Sequence, residues 1–168
     1  MLAPEMIDRL NNQINLEHYS SNLYLQMSAW CDFKGYTGSA AFLRNQASEE
    51  QMHMHKLFDY VCECGALPVL GTIEAPKADY ASLEAVFKET FAHEQKITSA
   101  INALVEFAFI HKDFSTFQFL QWYVAEQHEE QHLFQSILDK IALIGMDGKG
   151  IYFLDKEIRK LTVSASAS

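Results

Sequence analysis

The sequence predicts an all-α fold: a four-helix bundle with one long crossover connection and a short fifth helix at the C-terminal end. Three observations predict it. Only three prolines and seven glycines occur in 168 residues, and they cluster, leaving long tracts free of helix breakers. Within those tracts apolar residues recur three and four apart, the period of a helix buried along one stripe. Between the second and third tracts lies GALPVLGTIEAPKADYA, residues 65–81. That is far longer than the usual turn of roughly 2–8 residues in an antiparallel bundle, and long enough to run its full height.

The first helix is expected over about 4–33, with Pro4 suited to its first turn, where a missing N–H costs nothing. The second covers about 38–64 and stops at Gly65. Ser82 caps the third, about 82–110, and the fourth covers about 114–143. After the GMDGKG breaker a short amphipathic helix is expected over about 150–161. Residues 1–162 thus form one domain, and the small polar tail, 163–168, is expected to be mobile.

Each long tract carries one interruption of its inward seam. The first seam runs Ile7, Leu10, Ile14, Glu17, Ser21, Tyr24, Ser28, Cys31, and the second Leu43, Ala47, Glu50, Met54, Leu57, Val61, Cys64. The third runs Leu83, Phe87, Thr90, Glu94, Ile97, Ile101, Leu104, Ala108. The fourth runs Phe117, Leu120, Val124, Gln127, Gln131, Phe134, Leu138, Ile141, with Glu130 three residues beyond Gln127 on the same side. Every interruption falls at a similar depth in its helix, so lengthwise packing brings them to a common level.

A buried, unpaired carboxylate costs several kcal/mol, roughly, and clustered like charges aggravate that cost. No lysine or arginine lies on the four seams, so a metal is the remaining counter-charge. His53 stands three residues after Glu50, on the same helix side, and makes an ExxH pair. Oxygen-rich ligands with one imidazole suit iron or manganese better than structural zinc. Any one of these glutamates alone reads as solvated surface, and His53 alone as a hydrogen-bonded core histidine; the phasing of the set argues for ligands. Gln127 is either a neighbour of the site or an ordinary polar core residue. Tyr24 is either a packed aromatic or a phenol supplying an electron or a hydrogen bond. Glu49, Glu126, Glu129 and Glu130 form either an overflow metal site or a solvated acidic strip. Glu129 sits about 200° around the helix from Gln127 at roughly 100° per residue, so Glu129 with His132 is a decoy as a core pair.

Composition narrows the classes of partner. Thirteen lysines and arginines stand against 22 aspartates and glutamates, and a net charge of -9 argues against nucleic acid and anionic membranes while favouring cations. Cys31, Cys62 and Cys64 fit neither a disulfide framework nor a zinc spacing; a reducing compartment and three small buried hydrophobes are expected. Met52 and Met54 read as gap-fillers in a core or interface, and His55, His93, His111, His128 and His132 as exposed or packing residues. No apolar run reaches the ~18 residues of a bilayer span and no secretory leader is evident, so a cytoplasmic location is expected.

The residues PEMIDRLNNQINLEHYSSNLYLQMSAW, the Glu50/His53 segment, FLQWYVAEQHEEQHLF and GIYFLDKEI together resemble the non-haem bacterial ferritins over essentially the whole chain. The resemblance implies a ferritin-like bundle, of the di-iron kind known to use Glu and ExxH ligands, assembled as a hollow 24-subunit shell. It implies a ferroxidase centre that oxidises Fe(II) with dioxygen or peroxide and stores the product as ferric mineral. Carried onto matching positions, the first iron takes Glu17, Glu50 and His53; the second takes Glu50 as bridge with Glu94 and Glu130, and Gln127 lies beside them. A third iron takes Glu49, Glu126, Glu129 and Glu130. Tyr24 matches the family's tyrosine near the centre, and Trp122 is a second candidate electron donor. Haem is not expected, since Gln51 follows the bridging glutamate where haem-binding relatives carry methionine, and Glu130 stands where they carry a second histidine. The rival readings are a di-iron oxygenase or peroxidase acting on an organic substrate, and a storage scaffold without catalysis.

Overall fold

The computed structural model describes residues 2–165, with side chains described through Thr162. Five helices follow one another: α1 Pro4–Phe33, α2 Thr37–Glu63, α3 Leu83–Ile110, α4 Phe114–Ile144 and α5 Gly148–Ala165. Each boundary has a local cause. Pro4 opens α1, the Ser82 hydroxyl accepts from Ala85 N at 3.0 Å ahead of α3, and Asp113 accepts from Thr116 N at 3.1 Å ahead of α4. Beyond α2, Gly65 takes φ +73°, a left-handed conformation that glycine adopts without a Cβ clash.

Helices α1 and α2 pack as one hairpin, α3 and α4 as another, and α1 meets α3, while α2 and α4 are held further apart. The segment between α2 and α3 climbs the outside of α1. Val69 N donates to Asn11 Oδ1 at 3.1 Å, Gly71 N to Asn15 Oδ1 at 2.8 Å, and the Trp30 indole to Asp79 at 3.0 Å. Its points of attachment rise from Asn11 to Trp30, so the connection spans most of the bundle and sets α3 parallel to α2, as a single-crossover bundle requires.

Helix α5 is longer than the sequence suggests at both ends. It starts at Gly148, inside the glycine-rich breaker, and its backbone continues through Ala165, so 163–165 are helical where a mobile tail is expected; 166–168 lie outside the described residues. Asp155 anchors it, accepting from Gly38 N at 2.8 Å, Ser39 N at 2.7 Å and Ser39 Oγ at 2.7 Å. A carboxylate thereby caps the first turn of α2, where the helix dipole favours negative charge. Among the described residues no helix is long and apolar enough to cross a membrane.

The core is divided. One apolar cluster, around Met27, Phe42, Phe87, Phe134 and Leu154, fills the end nearer α5, and the other, around Leu10, Leu57, Ile101, Leu120 and Tyr123, fills the opposite end. The break falls at Glu17 in α1, Glu50 in α2, Glu94 in α3, and Gln127 with Glu130 in α4, all buried. The polar layer predicted from the seams is the floor between two hydrophobic compartments.

Candidate metal centre

Glu17 and Glu94 are fully buried, and Glu50, His53, Gln127 and Glu130 nearly so. One carboxylate oxygen each from Glu17 and Glu50 and a ring nitrogen of His53 lie within 4.8 Å of one another. That is the spread of donors around a single cation. Glu94 and Glu130 share the level and raise Glu50 electrostatically, but their oxygens fall outside this trio.

The surrounding amides tether the carboxylates. Gln13 Nε2 donates to Glu17 Oε1 at 2.5 Å, and Gln127 Nε2 to Glu94 Oε2 at 3.0 Å. Tyr24 donates its hydroxyl to Glu94 Oε1. Gln46 Nε2 spans Glu49 at 2.6 Å and Glu130 Oε1 at 3.3 Å. Left after this tethering are Glu17 Oε2, Glu130 Oε2, Gln46 Oε1, His53 Nδ1 and the Tyr123 hydroxyl, all buried without a hydrogen-bond partner. His53 Nδ1 stands 3.5 Å from Glu50 Oε2, too long for a hydrogen bond to hold it. Acceptors outnumber donors among these unpaired atoms, and a surplus of buried acceptors is what a bound cation resolves.

Protonation fits the same demand. Burial, then the charges of Glu17 and Glu94, pushes Glu50 well above the carboxylate range. Glu130 rises likewise, from burial first and then Glu94 and Glu49. Glu94 is pushed up to about 7 by burial, against the lowering pull of its bonds from Tyr24 and Gln127. Burial also lowers His53, outweighing the acids around it, and so keeps the imidazole in its neutral, ligating form. A divalent cation entering here displaces carboxyl protons and meets a neutral nitrogen.

Next to the trio, between α2 and α4, opens a cavity of about 500 Å³ lined by Gln46, Glu49, Glu126, Glu129 and Glu130 among others. Glu129 points out of the bundle, as its phase predicts, yet reaches this cavity from the rim. Glu126 bridges the two spaces, its Oε2 being 3.9 Å from His53 Nε2.

The structure corrects the sequence reading in three places. The buried stripe of α4 is Thr116, Leu120, Tyr123, Gln127, Glu130, Phe134, Ile137, Ile141, so Phe117, Val124, Gln131 and Leu138 turn off the seam and Glu130 sits on it. Cys62 is exposed and Cys64 half-buried on the last turn of α2; of the three only Cys31 is a buried hydrophobe. Gln13, Gln46 and Tyr123 belong to the centre and are missing from the predicted set. The two glutamines stand four residues before Glu17 and Glu50, one helical turn back on the same face, and that spacing is the signal that marks them.

Comparison with known proteins gives the setting. A family model described as the ferritin-like domain matches residues 7–144. The bacterial non-heme ferritin of Escherichia coli O6:H1 is 56% identical over 161 residues, 96% of this chain and 98% of that one. A probable bacterial non-heme ferritin-like protein of Haemophilus influenzae is 54% identical over 98% of this chain and all of its own length. Among solved structures, an open-pore ferritin from Archaeoglobus fulgidus superposes with TM-score 0.92 at 43% identity, covering 94% of this chain and 96% of its own.

Proposed function

The chain belongs to the ferritin family, and on that premise we propose that its iron chemistry is centred on Glu17, Glu50, His53, Glu94 and Glu130. It is an iron-storage protein and a ferroxidase of the non-haem bacterial kind. The observation that carries the site assignment is the buried Glu17, Glu50 and His53 trio, with donor atoms within 4.8 Å and unpaired buried acceptors beside it.

In this reading Glu17, Glu50 and His53 receive the first Fe(II). Glu50 would also serve the second Fe(II), together with Glu94 and Glu130. Carboxylates hold Fe(III) more tightly than Fe(II), because their negative charge compensates the added positive charge, so the site favours the oxidised product. Gln13 and Gln127 fix the orientation of Glu17 and Glu94, and Tyr24 steadies Glu94 from the opposite side. Loading requires Glu50, Glu94 and Glu130 to release protons, which ties iron uptake to proton release.

A third iron is assigned to the cavity of Glu49, Glu126, Glu129 and Glu130. Its acidic lining also speaks against an organic substrate there and so against an oxygenase or peroxidase. We assign the shell 24 copies in the cytoplasm. Support for assembly comes from large apolar side chains left bare on one chain, among them Leu67 at 79% and Leu143 at 86% exposure.

The decisive experiment combines crystals soaked anaerobically with Fe(II), where anomalous scattering locates the metals, with stopped-flow oxidation of a Glu50→Ala/His53→Ala double variant. Metals at the five residues and loss of rapid oxidation in a folded variant are expected. Wild-type oxidation rates in that variant would sink the assignment, and particle size checks the shell.

A further inference from the structure

A line of aromatic contacts leaves the metal centre and ends at a tyrosine joined by hydrogen bonds to a carboxylate. The His53 ring lies 5.5 Å, centroid to centroid, from the Trp122 indole. Trp122 meets Phe119 edge-on at 6.2 Å, and Phe119 stacks on Tyr60 at 3.8 Å with planes 6° apart. The Tyr60 hydroxyl pairs with Thr116 Oγ1 at 2.9 Å, and Thr116 Oγ1 donates to Asp113 Oδ2 at 2.6 Å. Because the single threonine proton is committed to Asp113, Tyr60 is the donor in the first of these bonds.

Two further facts set the direction of charge along this line. Lys56 Nζ lies 3.6 Å from the centre of the Trp122 ring, so an ammonium opposes any positive charge resting on that indole. The indole N–H is buried with no partner, so an oxidised Trp122 has nowhere to send its proton. Tyr60 is the reverse case: its proton has a two-bond wire to a half-buried carboxylate. Phe119 is too hard to oxidise to hold a charge and serves as the bridge between them.

We propose that Tyr60 is a terminal electron donor for the ferroxidase centre, with Trp122 as relay and Thr116 and Asp113 as its proton outlet. The proposal rests on the ferroxidase reading. Its use arises when peroxide meets a single Fe(II). Reducing hydrogen peroxide to two waters takes two electrons and two protons; the ferrous ion supplies one electron and becomes ferric, and Tyr60 supplies the other. The protons that make water come from solvent, while the phenolic proton passes through Thr116 to Asp113. The neutral tyrosyl radical left behind is repaired by a thiol reductant, which returns one electron and one proton. One-electron oxidation is thus moved away from the iron ligands.

Two measurements test this. In the metal-free protein, flash photo-oxidation with an external sensitiser is followed by transient absorption. The tyrosyl yield should fall at least about fivefold in Tyr60→Phe and in Trp122→Phe, and Thr116→Val should slow radical formation and remove its solvent isotope effect. In the protein given Fe(II) and then hydrogen peroxide, freeze-quench electron paramagnetic resonance should show a tyrosyl signal reduced by at least about half in Tyr60→Phe. An unchanged signal in Tyr60→Phe, with Fe(II) oxidised normally, overturns the relay alone. Failure of the wild-type protein to oxidise Fe(II) rapidly counts against the ferroxidase reading instead, and the photochemical arm still decides the relay.

Discussion

Gln13 holds one oxygen of Glu17 at 2.5 Å and leaves the other buried without a partner. The tethered oxygen fixes the side chain, and the free one is aimed at the space shared with Glu50 and His53. Replacing Gln13 by Leu removes the tether without adding charge. Metal affinity at the first position should drop by roughly 10–100-fold, the usual effect of losing a partner that orients a ligand, with little change in folding. Anaerobic titration with Fe(II) measures it, and an unchanged affinity would mean that Glu17 is positioned by packing alone.

The buried acids predict a pH dependence of the metal-free protein. Glu94 moves from an ordinary value of 4.5 to about 7 on folding, so the folded state holds its proton more tightly than the unfolded chain. The stability associated with that proton is complete below 4.5 and is lost as pH rises through about 7, a change of a few kcal/mol at most, roughly. Glu50 and Glu130 act in the same sense. His53, lowered by burial, and His93, lowered to about 4 by burial and Lys96, act oppositely, costing stability as pH falls below 6.5. The difference between wild type and Glu94→Gln isolates the carboxyl: the variant should gain on wild type between pH 4.5 and 7, read as thermal midpoints without metal. A pH-independent difference would show that Glu94 does not change its protonation on folding.

Beside the packing of Leu154 and Ile158, one carboxylate ties helix α5 to α2. Asp155 takes three hydrogen bonds from Gly38 and Ser39, and a Cβ on Gly38 would stand 2.0 Å from the Asp155 carbonyl oxygen. Asp155→Ala should cost about 1–2 kcal/mol, the range of a lost helix cap. Gly38→Ala should cost more, since backbone has to move, and should loosen α5 first. Hydrogen exchange localised to 148–162 checks this; uniform loss of protection across the bundle would contradict it.

How far these features can be read from sequence depends on what fixes each one. All eight predicted seam residues of α3 are buried, because the polar residues that crowd its middle, from Lys88 to Ser99, leave a single apolar phase there. In α4 the apolar arc is broad, with Phe117, Phe119, Leu120, Trp122, Tyr123 and Val124 crowding one stretch, so the pattern alone does not choose between Tyr123 and Val124. The glutamates were legible because a charge on a buried stripe has few explanations. Gln13 and Gln46 were harder to see, since glutamine is ordinary on a helix and only their place one turn before Glu17 and Glu50 sets them apart. Cys62 misleads because it follows the fully buried Val61 by one residue and so turns outward from the same helical turn.

The adjacent cavity supplies the remaining test. Glu49, Glu126 and Glu129 line a space of about 500 Å³ that Glu130 shares with the first centre, so an ion there neutralises acids that otherwise repel one another. Of these, Glu130 alone is buried well inside the bundle, and the other three stand toward the rim. Removing the rim acids should therefore spare the first two metals. A Glu49→Gln/Glu126→Gln/Glu129→Gln variant is expected to bind one Fe(II) fewer per chain in anaerobic titration, with the tightest binding changed by no more than about threefold. Weakening of the first centre by an order of magnitude would instead mean that Glu126, 3.9 Å from His53, belongs to that centre. Undiminished stoichiometry would leave the cavity without a metal of its own.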